Sequence, residues 1–189
     1  MNYKKKYSFL LILLFALSTS AQSKKDLKKH KVKSFKYVQT NVENGKETTL
    51  DIIYQKFDSE GNQIEETDYD KEGKVKNRWT ASYDKNGDKI EEQTFSADGK
   101  LKKIKTYKYN AKGDRIEEVH TDAGGKVTEK VIIGYNANGD KITEVSMDVN
   151  NNILDKTFIV YDKKGIVIQE RKVDATGKLI KEDRYTIEY

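Results

Sequence analysis

Residues 87–112 read GDKIEEQTFSADGKLKKIKTYKYNAK, and this string holds the plan of the chain. Gly87 and Gly99 each open an alternating run of residues. Outward from this unit, Gly61, Gly87, Gly113, Gly139 and Gly165 fall on a strict 26-residue ruler. Gly73, Gly99, Gly125 and Gly177 fall on a second ruler, whose one gap is filled by Asn151. The two series interleave, so a shorter spacing (Gly61 to Gly73) alternates with a longer one (Gly73 to Gly87). A fixed period of this kind marks a repeat architecture.

The turns have a recognisable chemistry. Asp or Asn opens a four-residue string that glycine closes, as in DSEG 58–61, DKEG 70–73, DKNG 84–87, NAKG 110–113, NANG 136–139 and DKKG 162–165. The opening side chain can bond the turn's own amides, and the glycine supplies a positive φ without steric cost. This predicts three-residue hairpin loops, each a type I turn followed by a left-handed residue in a G1 bulge. Asparagine is the next best left-handed residue, which accounts for Asn151 in the glycine column. The sequence has no proline, as suits a long sheet whose ladder uses every N–H.

Between turns the runs alternate and are rich in Tyr, Ile, Val, Thr and Phe, which reads as strands. With Lys85, Asn86 and Gly87 as a loop, Tyr83 is expected opposite Lys89 and Ser82 opposite Ile90. In the next hairpin Phe95 is expected opposite Leu101 and Lys89 opposite Tyr107. One face would then carry Trp79, Tyr83, Phe95, Leu101, Tyr107 and Tyr109, with their equivalents further along. The other would carry Ile64, Ile90, Ile116, Ile142 and Ile168, with Glu66, Glu92, Glu118, Glu144 and Glu170 two residues on. One unit has too few large apolar side chains to stand alone, so neighbouring units must stabilise one another. The expected fold class is all-β: tandem antiparallel β-hairpins, two per 26-residue unit, forming a long twisted meander sheet or an open β-solenoid. Residues 37–189 are expected to form a single repeat domain. Gly45 falls on neither ruler, so 31–57 reads as an atypical capping hairpin.

Residues 1–21 read as a secretory signal. Lys4, Lys5 and Lys6 precede the apolar run FLLILLFAL at 9–17, and Thr19, Ser20 and Ala21 provide a small-residue cut site. The run is far short of the roughly 20 residues a spanning helix needs. With no cysteine in the sequence, neither a lipid-modified N-terminal Cys nor a disulfide is available. The expectation is an exported protein, periplasmic or secreted, that is not a lipoprotein and has no membrane span. Removing the three signal lysines leaves 33 basic and 31 acidic residues, net +2. Residues 24–36 hold seven Lys and one Asp, so 37–189 carries a net −4. A mildly acidic body argues against nucleic-acid binding, which uses a basic face across the folded domain. The basic stretch, 22–36, reads as a solvated linker, or else as a segment drawn to anionic surface polymers or lipid head groups.

The recurring string YDKNGD at 83–88, YNAKGD at 109–114 and YNANGD at 135–140 resembles the YD repeat of RHS proteins over roughly residues 57–189. The resemblance implies tandem hairpins wound into long β-structures that act at the cell surface or outside it as shells, stalks or binding surfaces. The 26-residue period is longer than the usual YD unit. The RHS core and toxin domain are not in this sequence, so toxin encapsulation does not carry over. The arrangement is also similar to short exported repeat proteins of Bacteroidetes-type bacteria.

No catalytic residue is expected. His30 lies in the basic stretch. His120 occupies a column otherwise filled by Asp68, Thr94, Ser146 and Lys172, and so reads as exposed surface. Adjacent glutamates such as Glu91/Glu92 and Glu117/Glu118 point to opposite faces of a strand and cannot act together on one substrate. The string DKNGD at 84–88 has alternating oxygens, like the start of a calcium loop. The EF-hand pattern needs Gly at its sixth position and Glu at its twelfth; here Gly is fourth and Phe95 is twelfth. No metal and no cofactor are expected. The most suggestive surface feature is the column Tyr83, Tyr109, Tyr135 and Tyr161, with rings about 10 Å apart if they sit on alternate strands. They are expected opposite Lys89, Arg115, Lys141 and Val167, either as a structural ladder with cation–π support or as a stacking platform. With Trp79 they form the candidate ligand-binding set. The functional expectation is a non-enzymatic structural or protein-binding module at the bacterial envelope or outside the cell. The alternative is binding of a carbohydrate or cell-wall polymer through the Tyr column.

Overall fold

The computed structural model of the chain describes residues 23–189. The expected signal at 1–21 lies outside them, as does Gln22. A short helix, α1 (Lys24–Lys29), is followed by twelve strands. They are β1 (Ser34–Glu43), β2 (Lys46–Phe57), β3 (Gln63–Tyr69), β4 (Val75–Tyr83), β5 (Lys89–Phe95) and β6 (Leu101–Tyr109). β7 (Arg115–Asp122), β8 (Val127–Tyr135), β9 (Lys141–Met147), β10 (Ile153–Tyr161), β11 (Val167–Asp174) and β12 (Leu179–Arg184) complete the series. All twelve form one antiparallel sheet in chain order, an open meander with β1 and β12 at its edges.

The turns are built as their residues dictate. In the β4–β5 turn the Gly87 amide donates to the Asp84 carbonyl at 3.0 Å, and the Asp84 amide donates to the Asp88 carbonyl at 2.9 Å. Asp84 Oδ1 accepts from the amides of Asn86 and Asp88 at 2.8 and 3.0 Å. The same pair of side-chain bonds recurs at Asp70, Asn110, Asn136, Asp148 and Asp162. Asn151 adopts φ +63°, the left-handed value its place in the glycine column requires.

Past the turns, the register differs from the simple expectation. Tyr83 faces Lys89 and Phe95 faces Leu101, as expected, but Ser82 faces Glu91 rather than Ile90. Ile90 is skipped: a second bulge follows each turn on the two glycine rulers and leaves one residue of the returning strand unpaired. The skipped residues after the tyrosine-side turns are Ile64, Ile90, Ile116, Ile142 and Ile168. Side chains alternate with a period of two, so a one-residue slip moves everything beyond it to the other face. The expected face assignment is corrected accordingly. Glu66, Glu118, Glu144 and Glu170 stand directly opposite Trp79, Tyr107, Ile133 and Ile159, on the same face. Phe95 pairs with Arg78, the neighbour of Trp79, so Phe95 and Leu101 lie on the reverse face.

Burial follows this corrected assignment. Phe57, Tyr107, Val131, Ile133 and Ile159 are buried on the glutamate face, together with Gln55, Glu118, His120 and Ser146. The reverse face buries Thr67 and Val173.

The N-terminal stretch departs from a solvated linker. Ser23 caps α1, its hydroxyl accepting from the Asp26 amide at 3.2 Å, with Asp26 in the first turn and Lys28 and Lys29 in the last. That arrangement suits both the unpaired amides and the dipole of a helix. Leu27 is buried, and a Cβ on Gly61 would come within 2.5 Å of the Lys24 carbonyl, so the helix sits directly on the 58–61 turn. An apolar residue amid seven lysines had a place to go once the first hairpins supplied one. Residues 34–36 already belong to β1, and β1 with β2 forms the long N-terminal hairpin around Asn44 and Gly45.

Candidate functional site

The four candidate tyrosines close β4, β6, β8 and β10, half-buried, opposite Lys89, Arg115, Lys141 and Val167. Each hydroxyl is committed. Tyr83 donates to the Gln63 carbonyl at 2.8 Å, Tyr109 to Lys89 at 2.8 Å, Tyr135 to Arg115 at 2.8 Å and Tyr161 to Lys141 at 2.9 Å. The acceptor is in every case the residue that faces the preceding ring of the column. Gln63, for example, faces Phe57, which occupies the first place in the column without a hydroxyl. The column is therefore a ladder that ties each hairpin to the one before it. Burial pushes the Tyr83 phenol up to about 12, helped by the negative charges of Asp58 and Glu92. Burial also raises Tyr107, Tyr109 and Tyr135.

Trp79 sits in a different environment. Its Nε1 donates to Glu66 Oε1 at 3.1 Å, while Glu66 Oε2 accepts from Gln55 Nε2 at 2.5 Å and Gln63 Nε2 at 2.8 Å. Lys89 Nζ lies 4.9 Å from the Trp79 ring centre, and the Arg115 guanidinium lies 5.3 Å from that of Tyr107. Cation–π support thus falls on Trp79 and Tyr107, inward along the strands from the Tyr column that was expected to receive it. The same cations bond glutamates three residues on: Lys89 to Glu92 at 2.9 Å, Arg115 to Glu118 at 3.2 Å and Lys141 to Glu144 at 3.1 Å. Residues i and i+3 point to opposite faces of a regular strand. The skipped isoleucine between them brings the two charges to one face.

His120 is buried, not exposed as its variable column implied. Its Nε2 lies 2.5 Å from Glu118 Oε1 and its Nδ1 lies 2.9 Å from Glu129 Oε2. Lys105 and Arg115 also contact Glu118, at 2.8 and 3.2 Å. Burial pushes the Glu118 carboxyl up, but the bonds from Lys105 and His120 outweigh it and hold the group below the usual carboxylate range. Both ring nitrogens are taken up by carboxylates of the chain itself. The cluster is a desolvated charge network, and its legible signal was the two-residue step from Glu118, which puts His120 on the buried face.

Among the described residues no group of three or more His, Cys, Asp or Glu side chains could hold a metal ion. No described helix is long and apolar enough to cross a membrane. No protein-family model matches the chain, and no curated protein is similar to it by sequence. Similarity exists to solved structures. A porin-like protein from Bacteroides uniformis is 12% identical with a TM-score of 0.46, over 75% of this chain and 56% of that one. The Tc holotoxin pore of Photorhabdus luminescens is 11% identical with a TM-score of 0.25, over 72% of this chain and 11% of that one. A Bacteroides fragilis protein of unknown function is 14% identical with a TM-score of 0.19, over 83% of this chain and 96% of that one. This chain spans about half the length of the porin-like protein and about a tenth of the toxin chain. The fold itself stands on the chain's own twelve strands: an all-β sheet of tandem hairpins.

Proposed function

We propose that the protein is a non-enzymatic, exported binding module that presents its open sheet to a protein partner at the bacterial envelope or outside the cell. The observation that carries this reading is the reverse face of the sheet. Phe158 and Val160 on β10 are 40% and 43% exposed there, and half-buried Ile132 on β8 and Phe95 and Leu101 on β5 and β6 lie further along the same face. Apolar side chains left open along a regular surface are a common mark of an interaction site. Contacts repeated once per unit would add by avidity rather than through one deep pocket. Export is supported by the signal-like residues 1–21, and kinship with YD-repeat proteins by the recurring Y-[DN]-x-x-G-[DN] string. Polysaccharide binding through the Tyr column has less support, because all four hydroxyls already serve backbone carbonyls.

The test is site-specific photocrosslinking in the native envelope. A crosslinking residue at Phe158 or Val160 should trap one defined envelope or extracellular protein, and one at Tyr107 on the buried face should not. Recovery of the chain in the cytoplasm, or no product from either exposed site, would sink the reading. A glycan array with wild type and the triple variant Tyr83→Ala/Tyr109→Ala/Tyr135→Ala tests the polysaccharide alternative.

A further inference from the structure

The N-terminal segment folds over the ends of β2 and β3 and leaves a hollow of about 660 Å³. That volume lies within the roughly 300–1,000 Å³ of small-molecule sites. Its inner surface is apolar: Val32 from the segment after α1, Phe57 from the end of β2, and Ile64 from β3. Phe57 is buried and stacked on Phe35 with ring centres 5.4 Å apart, so this wall is fixed. Ile64 is the residue left unpaired between β2 and β3, without a ladder partner on β2.

The rim is cationic. Lys28, Lys31, Lys33 and Lys56 surround the opening. Lys28 is paired with Glu60, and Lys56 with Glu65 at 2.8 Å. Among the described residues Lys31 and Lys33 have no acidic partner. Both are placed by the backbone: Lys31 turns at φ +52° just beyond α1, and the Lys33 carbonyl accepts from the Phe57 amide at 2.8 Å. Asp58 is the one carboxylate in the wall, and it is already satisfied by the amides of Glu60 and Asn62 and by Asn62 Nδ2. Charge and shape agree: an apolar hollow with two uncommitted cations at its mouth, on a segment of net +6 attached to a body of net −4.

We propose that this hollow binds the anion of a single-chain fatty acid, with the acyl chain against Val32, Phe57 and Ile64 and the carboxylate at Lys31 and Lys33. The occupant must be apolar along its length and carry one compact negative end, which a neutral sugar or a cationic amphiphile does not.

Isothermal titration of the exported protein with dodecanoate, below its micelle concentration, tests this against dodecyltrimethylammonium, which has the same chain and the opposite charge. One dodecanoate per chain and no uptake of the cation are expected. The exposed double variant Lys31→Glu/Lys33→Glu, with its circular dichroism unchanged, should weaken dodecanoate binding by at least about tenfold, the equivalent of one charge-assisted bond. Val32→Glu, which places a charge on the apolar wall, should abolish it. Equal uptake of both amphiphiles, several chains per protein, or no effect of the lysine reversal would overturn the proposal. So would binding to phosphatidylglycerol vesicles without uptake of monomeric dodecanoate, which would assign the lysines to a membrane surface. A dimer that the lysine reversal dissociates, with no dodecanoate bound, would assign the hollow to a second copy and likewise overturn it.

Discussion

The two ends of the strands are built on the same turn but are held differently. At one end, turns 58–61, 84–87, 110–113, 136–139 and 162–165 follow Phe57, Tyr83, Tyr109, Tyr135 and Tyr161, and each tyrosine is bonded back to the previous hairpin. At the other end the turns follow Tyr69, Phe95, Thr121, Met147 and Val173, which share no size, shape or polar handle. Irregularities collect at this second end. Ser96 stands where the others have Asp or Asn, and its hydroxyl donates to the Lys100 carbonyl instead of accepting from the turn. Asn151 replaces the glycine. A turn satisfies itself within its own loop, whereas the tyrosine bond spans 20 residues and ties one tyrosine-side hairpin to the one before it. Coupling, not turn formation, is what restricts the residue. This is also why the repeating unit is a pair of hairpins and not a single one.

The sharpest way to break the comparison is to remove one ring from each end. Tyr109→Ala should cost about 3 kcal/mol, because it empties a half-buried site and strips the Lys89 carbonyl of its donor. Phe95→Ala should cost about half as much, since only packing is lost. Urea denaturation with unchanged m-values would measure both, and equal losses would end the distinction. Tyr109→Phe isolates the hydrogen bond. It should cost about 1 kcal/mol, lowering the melting temperature by roughly 2–4 °C for a chain of this size.

Alkaline pH distinguishes the two ends. The Tyr83 phenol is pushed up to about 12 in the folded protein, while an unfolded tyrosine ionises near 10. The folded state keeps a proton that the unfolded state releases. The associated stability is complete below about pH 10 and is lost as pH rises through about 12. Amide hydrogen exchange should therefore show alkaline opening first at the tyrosine end. Acid acts the other way and at both ends. Bonds from Asn152 hold Asp148 below the usual carboxylate range, a bond from Thr176 does the same for Asp174, and one from the Tyr189 hydroxyl for Asp162. That stability is present above about pH 4 and is lost as pH falls through the lowered values. Acid opening confined to one end would contradict this account. The smallest expected effect is Asn151→Gly, a gain of about 0.5 kcal/mol from relieving a left-handed side-chain residue, seen as a slight rise in the denaturation midpoint.

Much of this was legible in the residues. Turn positions, strand number and order, and the tyrosine–cation pairs all follow from Asp/Asn and Gly at fixed offsets. The second bulge was not legible, because isoleucine, which packs well in any strand, marks it rather than glycine or proline. Without it the glutamates fell on the wrong face and Trp79 was separated from Glu66, whereas His120 read as exposed because its column varies freely from repeat to repeat. Leu27 gave a hint of α1, but a helix of six residues has little stability of its own and forms only against the 58–61 turn.

The sequence by itself determined what is settled within one loop of backbone: where each turn forms, which residue takes the positive φ, and that the strands between are antiparallel. The tertiary structure decided what depends on three strands at once. It set which face each side chain joins, which carbonyl each tyrosine reaches, and where the lysine-rich leader docks. The physical reason is that turn bonds are made within one loop, while a bulge is fixed only by what the next strand offers to pair with it.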